Sequence, residues 1–113
     1  MANSTDTKEA VSSPNIKYNT DLALFSYEMV KNGKAQHEEC LPPVLEVGNS
    51  YSFIKKGHRT YQVPGEVTLL EMKPHEVLFE LRAEVIITSI SYNVVNNQSY
   101  TVGTYEVLEV LTS

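Results

Sequence analysis

The chain has 113 residues, 42% of them hydrophobic and 20% charged, with a formal net charge of −5. That length suits one domain and buries roughly two thirds of its extended surface on folding, enough for a core without covalent staples. The acidic balance excludes broad electrostatic attraction to nucleic acid or anionic lipid, which needs a basic face.

Cys40 is the single cysteine, so no internal disulfide framework holds the fold, which is compatible with a reducing compartment. The N-terminal stretch lacks the apolar run of a signal peptide, and the longest aliphatic runs, such as residues 85–87, are far too short to span a bilayer. Ala2 excludes N-myristoylation. Asn3-Ser4-Thr5 and Asn97-Gln98-Ser99 fit the glycosylation pattern, and without a secretory signal they read as chance matches. The expectation is a cytoplasmic protein with no membrane association.

Residues 1–17 carry few apolar side chains and predict a flexible tail. Residues 18–113 predict a single all-β domain, because aromatic and β-branched residues there alternate with polar ones between turn signals. Leu22 and Leu24 share one parity and Phe25, Tyr27 and Met29 the other. Asn32-Gly33 then predicts a type I′ hairpin turn. A helix over 20–30, capped by Thr20 or Asp21, is the alternative. The polar arm Lys34 to Cys40 predicts an exposed edge strand, ended by Pro42-Pro43.

Tyr51 and Phe53 alternate with serines, Gly57 marks a turn, and Tyr61 and Val63 predict a returning strand. Pro64-Gly65 turns again before a short apolar strand at 66–72. The run from 76 to 95 has no breaker. Val77, Phe79, Leu81, Ala83 and Val85 are apolar on odd positions and Ile86, Ile90, Tyr92 and Val94 on even ones, which predicts a bulge or bend near Val85-Ile86-Ile87. After a turn at 96–98, the pairs Tyr100 and Val102, then Tyr105 and Val107, switch parity around Gly103, which predicts a second irregularity. Together these give a small antiparallel β-barrel, or a sandwich-like meander, of about seven or eight strands.

Three of the nine Lys and Arg residues, Lys55, Lys56 and Arg59, sit within one turn around His58. Such a cluster can hold a small anion, a nucleotide-like one included, with Tyr51 or Tyr61 stacking on a base. Lys55, Lys56, His58, Arg59 and Tyr61 are therefore the candidate ligand residues. The competing reading is a hairpin tip with solvated charges.

His37 and Cys40 are metal-capable, but on a strand they face opposite ways, and no paired ligand spacing accompanies them, so no metal site is predicted. Ser52-Phe53-Ile54-Lys55 matches S-x-x-K without its companion motifs. Glu80 and Glu84 flank Arg82 on one strand face, which suits a solvated surface better than an acid–base pair. No catalytic residue and no cofactor is predicted. Seven tyrosines against three Phe and no Trp suit sheet packing and recognition surfaces alike. The function expected is non-enzymatic binding, to a protein partner or in a homo-oligomer, through sheet edges or Tyr-bearing faces. The alternative is capture of an anionic small molecule at residues 55–61. Nucleic acid is not an expected partner.

Overall fold

The computed structural model describes residues 17–73 and 77–111. Strands dominate it: β1 Asp21–Phe25, β2 Ser50–Lys56, β3 Gly65–Met72, β4 Glu80–Val95 and β5 Gln98–Val110. They form one curled sheet in the order β1-β3-β4-β5-β2. Two expectations need correction here. The described residues hold five strands, fewer than seven or eight, and the sheet is an open half-barrel. The antiparallel rule also fails at β1, which runs parallel to β3. The chain between β1 and β2 crosses from one outer strand to the other, and no hairpin links β1 to β3.

Asn32-Gly33 explains part of the lost strand count. A short helix, α1 Glu28–Lys31, precedes it, and Asn32 stays at φ −87 while Gly33 takes φ 70. Gly33 N–H donates to Val30 O at 3.0 Å and Lys34 N–H to Met29 O at 2.8 Å. That is a Schellman cap, in which the glycine ends a helix and no hairpin forms. The same dipeptide serves both turns, because each needs a residue with positive φ. The segment 20–30 is thus a strand followed by a helical turn. Beyond the cap, the expected edge strand at 34–40 is a 3-10 turn at His37–Glu39, closed by Gln36 N–H donating to the Glu39 carboxylate at 2.9 Å. Tyr61 and Val63 belong to a loop, not to a returning strand. The expected tail lies outside the described residues except for Lys17.

The hairpin of β4 and β5 is the longest element. Asn96 and Asn97 both have positive φ, 50 and 64, as a two-residue type I′ turn requires. The buried face of β4 changes at Thr88. Ala83, Val85 and Ile87 point into the core, and beyond a register shift between Ile87 and Ser89 it is Ile90 that packs inward. Thr88 and Ser89 then both face Thr104, whose hydroxyl lies 2.6 and 2.8 Å from theirs. Two residues opposite one is a bulge. The expected change of side is therefore real on β4.

On β5 it is not where Gly103 suggested. Thr101, Gly103, Tyr105 and Val107 stay on one buried face, and the β5 shift falls near Leu108. Gly103 is needed for space. A Cβ there would sit 2.9 Å from the Phe53 ring and 3.0 Å from the Ile90 side chain, and would collide with the Ser89 carbonyl. The core lies in the trough of the curl, with Leu22, Leu24, Phe53, Leu69, Val85 and Tyr105 fully buried. Burial of each such side chain contributes about 1.5–3 kcal/mol.

Candidate functional site

The basic turn is held from several sides. Thr101 donates its hydroxyl to Gly57 O at 2.8 Å and accepts from Arg59 N–H at 2.8 Å. Gly57 N–H donates to Ser99 O at 2.8 Å, and the Tyr92 hydroxyl to Arg59 O at 2.9 Å. The His58 ring stacks on Tyr92 with centroids 4.0 Å apart and planes 14° apart. This turn is ordered by the β4–β5 hairpin beneath it.

Its five candidate residues diverge. Lys55 points across the trough and donates to the Ala23 carbonyl of β1. Burial, helped by the nearby Arg59 charge, pulls its ammonium down to about 8. Lys56 is exposed on the opposite face of β2. His58 lies on Tyr92, and the Arg59 side chain donates to Lys56 O at 3.1 Å. Tyr61 is buried edge-on against Phe53, and its hydroxyl donates to Asp21 O at 3.0 Å. Burial pushes that phenol up to about 12. Tyr51 also turns inward, 5.7 Å from the Tyr105 ring. Lys55 and Tyr61 therefore reach across to β1, and of the five Lys56 and His58 are the exposed ones while Arg59 is half-buried.

The other motifs separate as well. His37 is exposed and Cys40 is buried. Burial and the Glu39 charge push the Cys40 thiol up, away from thiolate chemistry. Among the described residues no cluster of three or more His, Cys, Asp or Glu could hold a metal ion. Ser52 is exposed while Lys55 faces inward. Arg82 bonds Glu71 at 2.6 Å and Glu80 at 3.1 Å, whereas Glu84 accepts from the Thr68 hydroxyl at 3.1 Å. The two carboxylates flanking Arg82 thus have different partners.

A cleft of about 600 Å³ opens at the end of the half-barrel where β3 finishes and β4 begins. Leu41, Pro42, Leu45 and Val110 line it together with Glu71 and Arg82. The volume suits a small ligand. The Arg82 charge, however, is already neutralised by two acidic partners, which lowers its pull on an anion.

The free side of β4 was not singled out by the pattern of residues. β3 pairs with β4 only as far as Gly65 opposite Ile87. Ahead of Gly65 the chain bends at Val63-Pro64, and Pro64 has no N–H to offer a ladder. From Thr88 to Val95, β4 therefore has β5 on one side and, among the described residues, no strand on the other. The stretch is Thr-Ser-Ile-Ser-Tyr-Asn-Val-Val, without charge or proline. Tyr92, Val94 and Val95 are 45%, 70% and 54% exposed.

The backbone geometry of this edge follows from the turn. Val95 and Gln98 flank a two-residue loop and exchange hydrogen bonds, as do Asn93 with Tyr100 and Ser91 with Val102. The N–H and C=O groups of Ile90, Tyr92 and Val94 consequently point away from β5, along the uncovered side. Natural edges carry Lys, Pro or inward charges against unwanted pairing. Among the described residues the bulge at Thr88 is the one such device on this edge. A signal was present in the sequence, as eight uncharged residues of which five are β-branched or aromatic. What covers them depends on where β3 begins.

Among the described residues no helix is long and apolar enough to cross a membrane. No protein family, curated protein or solved structure matches this chain.

Proposed function

We propose that the protein is a non-enzymatic binding module that takes up an extended strand along the uncovered side of β4. One observation carries this reading: Ile90, Tyr92 and Val94 present backbone groups that no strand among the described residues pairs, on an exposed, uncharged edge. Main-chain hydrogen bonds give such addition its affinity, and side chains on alternating positions give it specificity. The role of the ordered turn at 57–61 is then support, since His58 and Arg59 brace Tyr92. A cytoplasmic setting agrees with the single cysteine, which is buried and unpaired. Capture of a small anion at Lys56 and Arg59 is the weaker reading, because the neighbouring Lys55 and Tyr61 turn away from them.

Val94→Pro tests the edge. The Val94 N–H bonds nothing on β5, so proline there removes an outward donor and leaves the hairpin ladder intact. Proteins retained from lysate by the parent are expected to be lost with Val94→Pro and kept with Lys56→Ala/Arg59→Ala. Retention that is indifferent to Val94→Pro would place binding elsewhere.

A further inference from the structure

Resting on that reading of the edge, we propose that the strand it takes up is β4 of a second copy of this chain, paired antiparallel about a two-fold axis near Asn93. The free stretch is complementary to itself. Ile90, Tyr92 and Val94 have outward backbone groups and side chains on one shared face, so even-numbered residues of one copy meet even-numbered residues of the other. Hydrogen-bond direction and side-chain face then match together. Tyr92 falls opposite Val94 of the second copy, an aromatic and β-branched pair of the kind that stabilises sheets.

Sterics select this register. The Asn96-Asn97 turn of the second copy then ends short of the bend at Pro64 and the start of β3 at Gly65. A pairing centred further back would drive that turn into Gly65.

Charge favours the same contact. Each copy carries −5 overall, so two copies repel at long range. They can meet where no charge is present, and Thr88–Val95 is such a surface. Because the contact is isologous, both free edges are consumed and the assembly closes as a dimer. It is also small. Five residues a side, Ser91 to Val95, compares with about 20–30 in a standard interface, which sets a weak, reversible dimer.

Sedimentation of the full chain tests this. The expected result is a monomer–dimer equilibrium between about 1 μM and about 1 mM, corresponding to roughly −8 to −4 kcal/mol. Added salt should tighten it by screening the mutual repulsion. Val94→Lys, at an exposed position, should weaken dimerisation by about tenfold or more, and Val94→Pro should do the same without adding charge. Circular dichroism establishes that both variants keep the sheet. A chain that stays monomeric at about 1 mM, a dimer unaffected by both variants, or growth beyond a dimer each overturns self-pairing. Edge-dependent capture of another protein is scored by the Val94→Pro retention comparison, so strand addition to a different partner survives a monomeric result.

Discussion

Lys55 of β2 donates through its ammonium to the Ala23 carbonyl of β1, so one side chain joins the two outer strands that no ladder connects. Tyr61 adds a bond to Asp21 O at 3.0 Å, and Asn19 N–H reaches Thr60 O at 2.7 Å. The half-barrel is tied across its opening by these contacts, and Lys55 sits where its charge is poorly solvated.

That placement makes stability depend on pH in a definite direction. The folded-state value of Lys55 is lowered to about 8, while an unfolded lysine titrates near 10.4. Below about pH 8 both states hold the proton and the fold bears the desolvation cost. Between about pH 8 and 10.4 the unfolded chain holds more protons, so stability rises with pH. Above about pH 10 the buried Tyr61 and Tyr105 phenols act the other way, since burial raises both and the unfolded chain ionises first. The Tm of the parent minus that of Lys55→Met should climb through the lower window. A difference that stays flat from pH 8 to 10 would contradict the seam.

Gly103→Ala places a methyl group between the Phe53 ring and the Ser89 carbonyl at the coiling point of the sheet. Neither β4 backbone nor a fully buried ring can yield easily. The loss expected in urea unfolding is about 1–3 kcal/mol or more, as for an overpacked core. A change below about 0.5 kcal/mol, the range of an ordinary surface substitution, would show that the sheet relaxes freely there.

The Tyr105 hydroxyl is fully buried and has no hydrogen-bond partner among the described residues. Removing a buried group that bonds nothing relieves a desolvation penalty of about 1–3 kcal/mol. Tyr105→Phe should therefore leave the urea midpoint unchanged or raise it. A marked fall in the midpoint would mean that the hydroxyl is satisfied after all.

Cys40 is 2% exposed and its thiol is pushed up by burial and by Glu39. A disulfide reagent should label it slowly in buffer and rapidly in urea, by at least about a hundredfold for a site opened only by unfolding. Rapid labelling of the folded protein would reopen the nucleophile reading.

Local signals in the sequence determined much of this molecule. A short apolar run after Pro64-Gly65 marked β3, apolar alternation marked β4 and β5, the Asn-Asn turn marked the β4–β5 hairpin, and the parity change marked the bulge beside Thr88, because each depends on residues close in the chain. Tertiary structure alone decided the rest. Gly33 can end a helix or turn a hairpin, and the Schellman bonds to Met29 and Val30 chose the first. Lys55 looked like part of a solvated cluster until β1 was brought opposite it across the trough. The open side of β4 exists because β3 begins only at Gly65 while β4 runs on past Ile87. Which strand lies beside which is a long-range property, set by the closure of the whole sheet. A pattern of period two records the face a residue takes, not the neighbour it meets.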